Sequence, residues 1–201
     1  MERAEDIIKF WFGKVEESAF PTANRTHIWF GHDAAVDDEI RSKFSYDLEK
    51  AVLGEYSDWE KNSRSSLALI ILFDQFSRHI YRDTPLAFAQ DHRALDLCLH
   101  GIERQYDHLI SLIERAFFYF PLMHSENVEI QATSIRAYKI LLDLSFPEAK
   151  GIFENFLDHS LQHFDIVKRF GRFPDRNQAL GRISTEEEIK YLEKEYLQGD
   201  K

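Results

Sequence analysis

One stretch near the middle of the chain, residues 67–93, most limits what the chain can fold into. It opens with the apolar run LALIILF, which is apolar on every side of a helix and therefore predicts a buried helix. Along one row of that helix, at steps of three and four, Ile70 and Ile71 give way to Asp74 and Arg78. A core-facing row that turns charged is entering a polar cleft or burying an ion pair, so the stretch predicts a polar site within a helical core.

Composition and charge narrow the class of protein. With 201 residues, 44% hydrophobic and 30% charged, the chain fits one folded domain covering residues 1–201. Its formal charge of −10 disfavours nucleic acid and anionic membranes as partners. Cys98 is the only cysteine, no apolar run could cross a bilayer, and the first residues lack the features of an export signal. We therefore expect a soluble, cytoplasmic protein without disulfides.

The remaining apolar patterns predict helices and no strands, so the expected fold class is all-α, with about eight helices in antiparallel pairs. In the first half of the chain we predict a helix over residues 4–12 that Gly13 stops, a helix from its N-cap Asp33 to near Gly54, the central stretch 67–83, and a helix from its N-cap Thr84 to Gly101. In the second half we predict a helix over residues 109–120 that Pro121 stops, a helix over residues 128–144 that Ser125 or Asn127 caps, and a helix from Pro147 to Gly171. A Ser184–Glu187 capping box should open the final helix. Residues 14–32 are predicted to be a loop that Trp29 and Phe30 anchor to the core.

The first candidate site is the polar end of the central helix and the start of the helix after it. Its members are Asp74, Gln75, Arg78, His79, Arg82 and Asp91. Asp74 and Arg78 are an i,i+4 pair, which should lower the pKa of the carboxyl group and keep both side chains charged. Two interpretations stay open: a structural ion pair that fixes helix packing, or a guanidinium and a carboxylate that line a pocket for an anionic or polar ligand.

The second candidate site is the stretch 163–182, which is positively charged in an otherwise acidic chain. Its basic members are Lys168, Arg169, Arg172, Arg176 and Arg182, against Asp165 and Asp175. Arginine presents a planar fork that suits carboxylate or phosphate, and the interleaved phenylalanines would hold the forks in place. One interpretation is pairing with internal acids, which is favoured for most of these arginines, and the other is an anion site. The candidate internal acids are Asp74, Asp91, Glu114 and Glu126.

The third candidate site is the tripeptide His124-Ser125-Glu126 at a predicted helix entrance. A His–Glu pair there could serve as acid and base, whereas the alternative is plain capping by Ser125. His159 and His163 have the i,i+4 spacing of two helical metal ligands, but they lack the intervening glutamate of the zinc-protease motif. No third ligand can be named, so we predict no metal and no cofactor.

Four segments together carry a family resemblance: FWFG at 10–13, LFDQFSRHIYRDTPLAFAQD at 72–91, FYFPLMHSE at 118–126 and HFDIVKRFGRFPDRNQALGRISTEE at 163–187. They resemble an uncharacterised bacterial and plant family, the domain-of-unknown-function 924 (DUF924) family, over nearly the whole chain. The resemblance implies a TPR-like, right-handed arrangement of helix pairs and implies no activity.

The family pattern carries over to polar residues of all three candidate sites. These are Asp74, Gln75, Arg78, Arg82, Asp91, His124, Ser125, Glu126, His163, Arg169, Arg172, Arg176, Asn177 and Arg182. The chain departs at Ser77, His79 and Asp83, where the resemblance implies proline, asparagine and glycine, and at Asp175, where it implies histidine. If that histidine were essential to a family reaction, this chain would be altered or inactive. A ligand-binding role survives the change more easily, because Asp175 can still accept hydrogen bonds.

Two functions follow as hypotheses. In the first, all the carried-over residues except Ser125 bind a small anionic molecule or a peptide carboxylate in an arginine-rich pocket where the central helix meets the stretch 163–182. In the second, the chain is a small-molecule hydrolase in which His124, Glu126 and His163 supply acid–base groups beside the arginines. Neither hypothesis includes nucleic acid or a membrane as partner.

Overall fold

The computed structural model describes residues 2–15 and 25–199, and its regular elements are helices, which confirms the all-α class. The α-helices are Glu2–Phe12, Thr26–Phe30, Ala34–Val52, Ser63–Ile70, Ser77–Ile80, Asp91–Glu103, Leu112–Phe118, Phe120–Met123, Val128–Leu144, Lys150–Phe170 and Glu186–Gly199. The π-helical segment Ile71–Phe76 joins Ser63–Ile70 to Ser77–Ile80 without a break, and we call residues 63–80 the central helix. No helix within the described ranges has both the length and the apolar character that a membrane span requires.

Several predicted helix ends are confirmed. The Asp33 side chain accepts a hydrogen bond from the Ala35 N–H at 2.8 Å and caps Ala34–Val52. Asn127, one of the two predicted caps, accepts from the N–H groups of Glu129 and Ile130. Gly171 ends the long helix with a φ of 70°, a left-handed conformation that glycine adopts at little cost.

Two predicted helix starts around the central helix are wrong. The central helix begins at Ser63, one turn before Leu67, because Asn62 accepts from the Arg64 N–H at 3.1 Å and caps it. Thr84 does not cap a helix, since its hydroxyl donates back to the Tyr81 carbonyl at 2.7 Å. Residues Pro85–Ala87 form a short 3-10 turn instead, and the next helix opens only at Asp91.

Boundaries in the second half of the chain also differ from the prediction. Pro121 stops no helix, because it lies in the first turn of Phe120–Met123, where its missing N–H removes no helical hydrogen bond. The long helix starts at Lys150 rather than at Pro147. The final helix is opened by a Thr185–Glu188 pair, in which each residue bonds the other's backbone N–H, and not by Ser184 and Glu187.

The predicted loop 14–32 contains the short helix Thr26–Phe30, while its residues 16–24 lie outside the described part of the chain. Trp29 anchors this region as predicted, because its indole N–H donates to the Trp11 carbonyl at 3.0 Å in a buried contact. Phe30 is 52% exposed and packs at the edge of the core.

The core is a continuous cluster of aromatic and aliphatic side chains built around the central helix. Phe76 contacts the Trp11 ring at 5.6 Å and the Phe44 ring at 4.8 Å, so the first and third helices close over the same side of the central helix. Phe117 packs against Phe120 at 4.4 Å and against the Trp11 ring at 5.7 Å, which extends the same cluster. A wide π-helical turn within this packing directs Asp74 and Gln75 into the interior.

The helices Val128–Leu144 and Lys150–Phe170 form the most extensive pair in the structure. The hydroxyl groups of Ser134 and Ser160 hydrogen bond at 2.8 Å, and the rings of Tyr138 and Phe156 stack at 6.0 Å. Contacts that advance by four residues in one helix fall back by four in the other, so the two helices run antiparallel.

Candidate functional site

A buried carboxylate on the π-helical turn is the centre of the candidate site. Asp74 is 0% exposed and accepts hydrogen bonds from His124 Nδ1 at 2.7 Å and from the side-chain amide of Gln75. Burial alone would raise the pKa of Asp74, but the charge that His124 carries when it is protonated, the charge of Arg78 and the hydrogen bonds from His124 and Gln75 outweigh it and lower that pKa. Asp74 is therefore ionised and acts only as an acceptor.

His124 follows the short helix Phe120–Met123 and turns its ring toward Asp74. Because an ionised carboxylate cannot donate, Nδ1 of His124 must carry the proton in this contact. The side chain is 15% exposed, and no described residue hydrogen bonds to its Nε2. The imidazole is thus fixed at one nitrogen and available at the other.

Two arginines meet at one carboxylate next to this pair. Arg78 donates to both oxygens of Asp91, at 2.9 and 3.0 Å, and also to the backbone carbonyl of Asp74 at 2.6 Å. Arg176 donates to Asp91 Oδ2 and to the His124 carbonyl, each at 3.1 Å. Both guanidinium groups lie against the Phe88 ring. Burial and the charge of Arg78 lower the pKa of Arg176, so the charged guanidinium is disfavoured at this position. The charge of Asp91 acts in the opposite direction and stabilises it.

His163 lies beside His124, with 6.1 Å between the ring centroids. Its Nδ1 is 3.1 Å from the Met123 carbonyl, which can only accept, so Nδ1 carries the proton and Nε2 is an acceptor. Burial and the charge of His124 lower the pKa of His163 to about 3. His163 is therefore a neutral imidazole near neutral pH.

Glu126 lies next to this cluster but is fully engaged by other groups. It accepts from both terminal nitrogens of Arg182, at 2.8 and 3.0 Å, and from the Phe173 N–H at 2.8 Å. Burial opposes ionisation, but the hydrogen bonds from Arg182 and Phe173 outweigh it and lower the pKa of Glu126. This pair ties the turn before Val128–Leu144 to the stretch 163–182.

The structure therefore brings most of the first and third candidate sites together with part of the second. We call the set that surrounds Asp74 and Asp91 the central cluster. Its members are Asp74, Gln75, Arg78, Asp91, His124, His163 and Arg176, and Glu126 with Arg182 adjoins it.

The other candidate residues lie in separate ion pairs. Arg82 donates to Asp37 through Nε at 2.6 Å and Nη2 at 2.7 Å, and His79 Nδ1 lies 2.7 Å from the same carboxylate. Arg169 pairs with Glu187 at the protein surface at 2.8 Å. These pairs support the structural interpretation for both arginines.

Arg172 and Asn177 also lie apart from the central cluster and hold the final helix. Arg172 donates to both oxygens of Glu188, at 2.6 and 2.8 Å, and the Asn177 amide donates to Glu188 at 3.3 Å. Hydrogen bonding by Arg172 is the main cause that lowers the pKa of Glu188 to about 2. The partner of Arg172 is thus a protein carboxylate, which is the favoured interpretation from the sequence.

Sequence reasoning missed two acidic partners. Asp37 is buried in the helix Ala34–Val52 and shares the apolar stripe of Ile40 and Phe44, and an acidic residue on such a stripe is a signal that could have been read. Glu188 was missed because two pairs have the spacing of a capping box, Ser184 with Glu187 and Thr185 with Glu188. The sequence does not show which of the two pairs forms the box.

The structure explains what surrounds two of the positions at which the chain departs from the family pattern, Asp83 and Asp175. Asp83 has a φ of 61°, in the left-handed region that glycine adopts without strain, which fits the glycine implied there. Asp175 is exposed beside the central cluster, and its charge favours the protonated forms of Arg78 and Arg176.

Within the described ranges, no group of three or more His, Cys, Asp or Glu side chains has an arrangement that could hold a metal ion.

Comparisons with known proteins agree with the resemblance read from the sequence. A family model described as "Bacterial protein of unknown function (DUF924)" matches residues 7–195. The fold is similar to the solved structure of the protein of unknown function ATU0120 from Agrobacterium tumefaciens, with a TM-score of 0.77 and 36% sequence identity. That alignment covers 96% of this chain and 98% of the other. No curated protein matches the chain. The chain thus belongs to the DUF924 family of bacterial proteins of unknown function.

Proposed function

We propose that the chain is a small-molecule hydrolase in which His124 is the general base. The observation that carries this proposal is the contact between Asp74 and His124 Nδ1, because it fixes the ring while no residue in the described ranges bonds to Nε2. A carboxylate that orients an imidazole in this way favours proton uptake at the other nitrogen. Most of the candidate arginines are engaged by internal carboxylates, which is why acid–base chemistry is preferred here over a dedicated anion pocket.

The proposed reaction is attack of water on an acyl or phosphoryl group. His124 Nε2 accepts a proton as the water oxygen bonds to the substrate, and the imidazolium then returns that proton to the leaving group. The ionised Asp74 stabilises the imidazolium between these steps. Arg78 and Arg176 supply positive charge beside the reacting group, where negative charge develops.

The test incubates the purified chain with a panel of substrates that includes p-nitrophenyl acetate and p-nitrophenyl phosphate. The rate of hydrolysis is measured as the release of p-nitrophenol. His124→Gln should lower the rate by roughly 10²–10⁴-fold, the range for losing a general base. His108→Gln is the matched control, because His108 is an exposed histidine that lies 3.6 Å from Asp107, outside the central cluster. A His124→Gln rate equal to wild type would overturn the proposal.

A second candidate function is binding of a small anionic molecule or a peptide carboxylate without chemistry. It is favoured by one observation: Arg78 and Arg176 both donate to the carboxylate of Asp91, so two guanidinium groups meet at one acceptor. A ligand held by the folded state raises apparent stability by about 2.7 kcal/mol at a hundredfold excess over Kd. Phosphate, acetate and citrate should then raise the melting temperature more than chloride at equal ionic strength. Equal shifts for all the salts would count against it.

A TPR-like, right-handed arrangement of helix pairs in a single domain is the fold that we propose as the setting of this site. The antiparallel pair Val128–Leu144 and Lys150–Phe170 and the continuous core support it. A crystal structure in which successive helix pairs do not stack with a right-handed turn would contradict this arrangement.

A further inference from the structure

A groove separate from the central cluster opens beside the end of the helix Ala34–Val52. Its volume is about 380 Å³, within the range of roughly 300–1,000 Å³ that small-molecule sites occupy. One wall is the last turn of that helix and the other is the segment 85–90. The groove is lined by apolar side chains from both walls: Leu48, Val52, Leu53, Leu86 and Ala89.

The apolar lining is open to solvent. Leu53 lies on one wall and is 74% exposed, and Leu86 lies on the other wall and is 54% exposed. No other described element covers these two large apolar side chains. Contact of both with an apolar molecule would remove that surface from water, which stabilises a complex.

The polar side chains at the groove divide into satisfied and available groups. The Ser77 hydroxyl is engaged with the Phe73 and Ala87 carbonyls, at 2.6 and 3.1 Å. The remaining polar lining residues are Glu49, Tyr81 and Gln90, and their side chains have no hydrogen bond or ion pair with any described residue. The groove thus combines an apolar body with three available polar groups.

The charge at the groove is negative. Glu49 is exposed and is the one charged residue among those that line the groove, and two nearby cations, Lys50 and Arg93, have partners of their own. Lys50 lies 3.6 Å from Glu55 and over the Tyr46 ring. Arg93 donates to the carbonyls of Ala51 and Val52, at 3.0 and 2.9 Å. The carboxylate of Glu49 is therefore available to a positively charged group of a ligand.

The groove and the central cluster use different residues of the same segments. Ser77 and Gln90 line the groove, whereas the adjacent residues Arg78 and Asp91 pair with each other in the cluster. A ligand in the groove would therefore be held by a set of side chains that shares no member with the proposed catalytic site.

We propose that this groove binds a small amphipathic molecule with an apolar body and a cationic head. The apolar body contacts the two walls through Leu53 and Leu86, and the cationic head lies at Glu49. Tyr81 and Gln90 supply further hydrogen bonds to polar atoms of the ligand.

The test compares three ligands of equal length and different charge, n-octylammonium, n-octanol and n-octanoate, below the concentrations at which they aggregate. Binding to the full chain is measured by titration calorimetry. The ammonium should bind roughly tenfold more tightly than the carboxylate, and Glu49→Gln should remove the advantage of the ammonium over the alcohol.

A second variant separates the groove from other surfaces. Ala89→Phe fills the groove from an exposed position and should abolish binding of all three ligands, whereas Ala35→Phe, at the opposite end of the helix Ala34–Val52, should leave it unchanged. Circular dichroism of both variants checks that they are folded. No binding of n-octylammonium, equal affinity for the ammonium and the carboxylate, or unchanged binding in Ala89→Phe would each overturn the proposal. Because binding is read without turnover, failure of the proposed hydrolase function leaves the result interpretable.

Discussion

Asp74 accepts a hydrogen bond from His124 Nδ1 at 2.7 Å while its own side chain is fully buried. An ionised carboxylate is costly to bury, and here its partners make the charged form the favoured one. The two residues lie 50 positions apart in the chain, so the contact joins the central helix to the turn before Val128–Leu144. It therefore contributes to stability as well as to the proposed chemistry.

Replacing Asp74 should be strongly destabilising. Asp74→Ala leaves Nδ1–H of His124 without its acceptor and removes the buried carboxylate that lies 3.6 Å from Arg78, and breaking a buried pair costs about 3–5 kcal/mol. Asp38→Ala is the matched control, because Asp38 pairs with Arg41 at the surface, where such pairs contribute about 0–1 kcal/mol. The free energy of unfolding from urea titration measures both. A loss for Asp74→Ala no larger than for Asp38→Ala would contradict the account.

Stability should fall on acidification because of His163. Its pKa is about 3 in the folded state and about 6.5 when unfolded, so below pH 6.5 the unfolded chain takes up a proton that the folded chain does not. This lowers the free energy of unfolding by roughly 2 kcal/mol between pH 7 and pH 5. His163→Gln does not titrate and keeps a donor for the Met123 carbonyl, so its pH dependence over this window should be smaller than that of wild type. Identical profiles would contradict the burial of a neutral imidazole.

Two helical glycines should respond to alanine with opposite signs. A Cβ at Gly101 would overlap Cζ of the fully buried Phe118 ring, and overpacking of a core costs roughly 1–3 kcal/mol. That cost exceeds the gain of about 0.5–1 kcal/mol from removing a glycine within a helix. Gly151 has no heavy atom within 4 Å of a Cβ, so Gly151→Ala should show the gain alone. Thermal unfolding of both variants tests this, and a stabilised Gly101→Ala would contradict the packing of Asp91–Glu103 against Phe118.

The helical class and a polar centre in the central helix could be predicted because both depend on local patterns. A charged row that follows an apolar row is visible in a few turns of sequence, and so are the caps at Asp33 and Asn127. The partner of Asp74 could not be predicted, because His124 is distant in sequence and competes with other basic residues for that carboxylate. The π-helical turn was missed because a pattern read at 3.6 residues per turn assumes an uninterrupted α-helix.

The arginine-rich stretch shows a different limit. Its arginines could each pair with several acids, and the sequence does not rank long-range pairs. Glu188 illustrates this: two capping registers fit the residues around Thr185, and only the contact with Arg172 shows which glutamate is buried. A proline such as Pro121 predicts a helix end, but it is equally compatible with the first turn of a helix, where it lies in the structure.

The arginines of this stretch should differ in how much they stabilise the final helix. Arg172 bonds both oxygens of the buried Glu188 and the Ile183 carbonyl, whereas Arg169 and Glu187 are more than half exposed. Arg172→Ala should therefore lower the melting temperature and speed amide hydrogen exchange in Glu186–Gly199. Arg169→Ala, three residues earlier, should change neither measurably. Equal exchange rates in the two variants would contradict the anchoring role of Arg172.

The position of the proton on His124 tests the central claim most directly. Long-range ¹⁵N–¹H correlation spectra of ¹⁵N-histidine-labelled protein distinguish a protonated ring nitrogen from a bare one. We expect the neutral form of His124 to carry its proton on Nδ1, with Nε2 bare, because the ionised Asp74 can only accept. A neutral His124 with its proton on Nε2 would contradict both the contact with Asp74 and the role of His124 as a base.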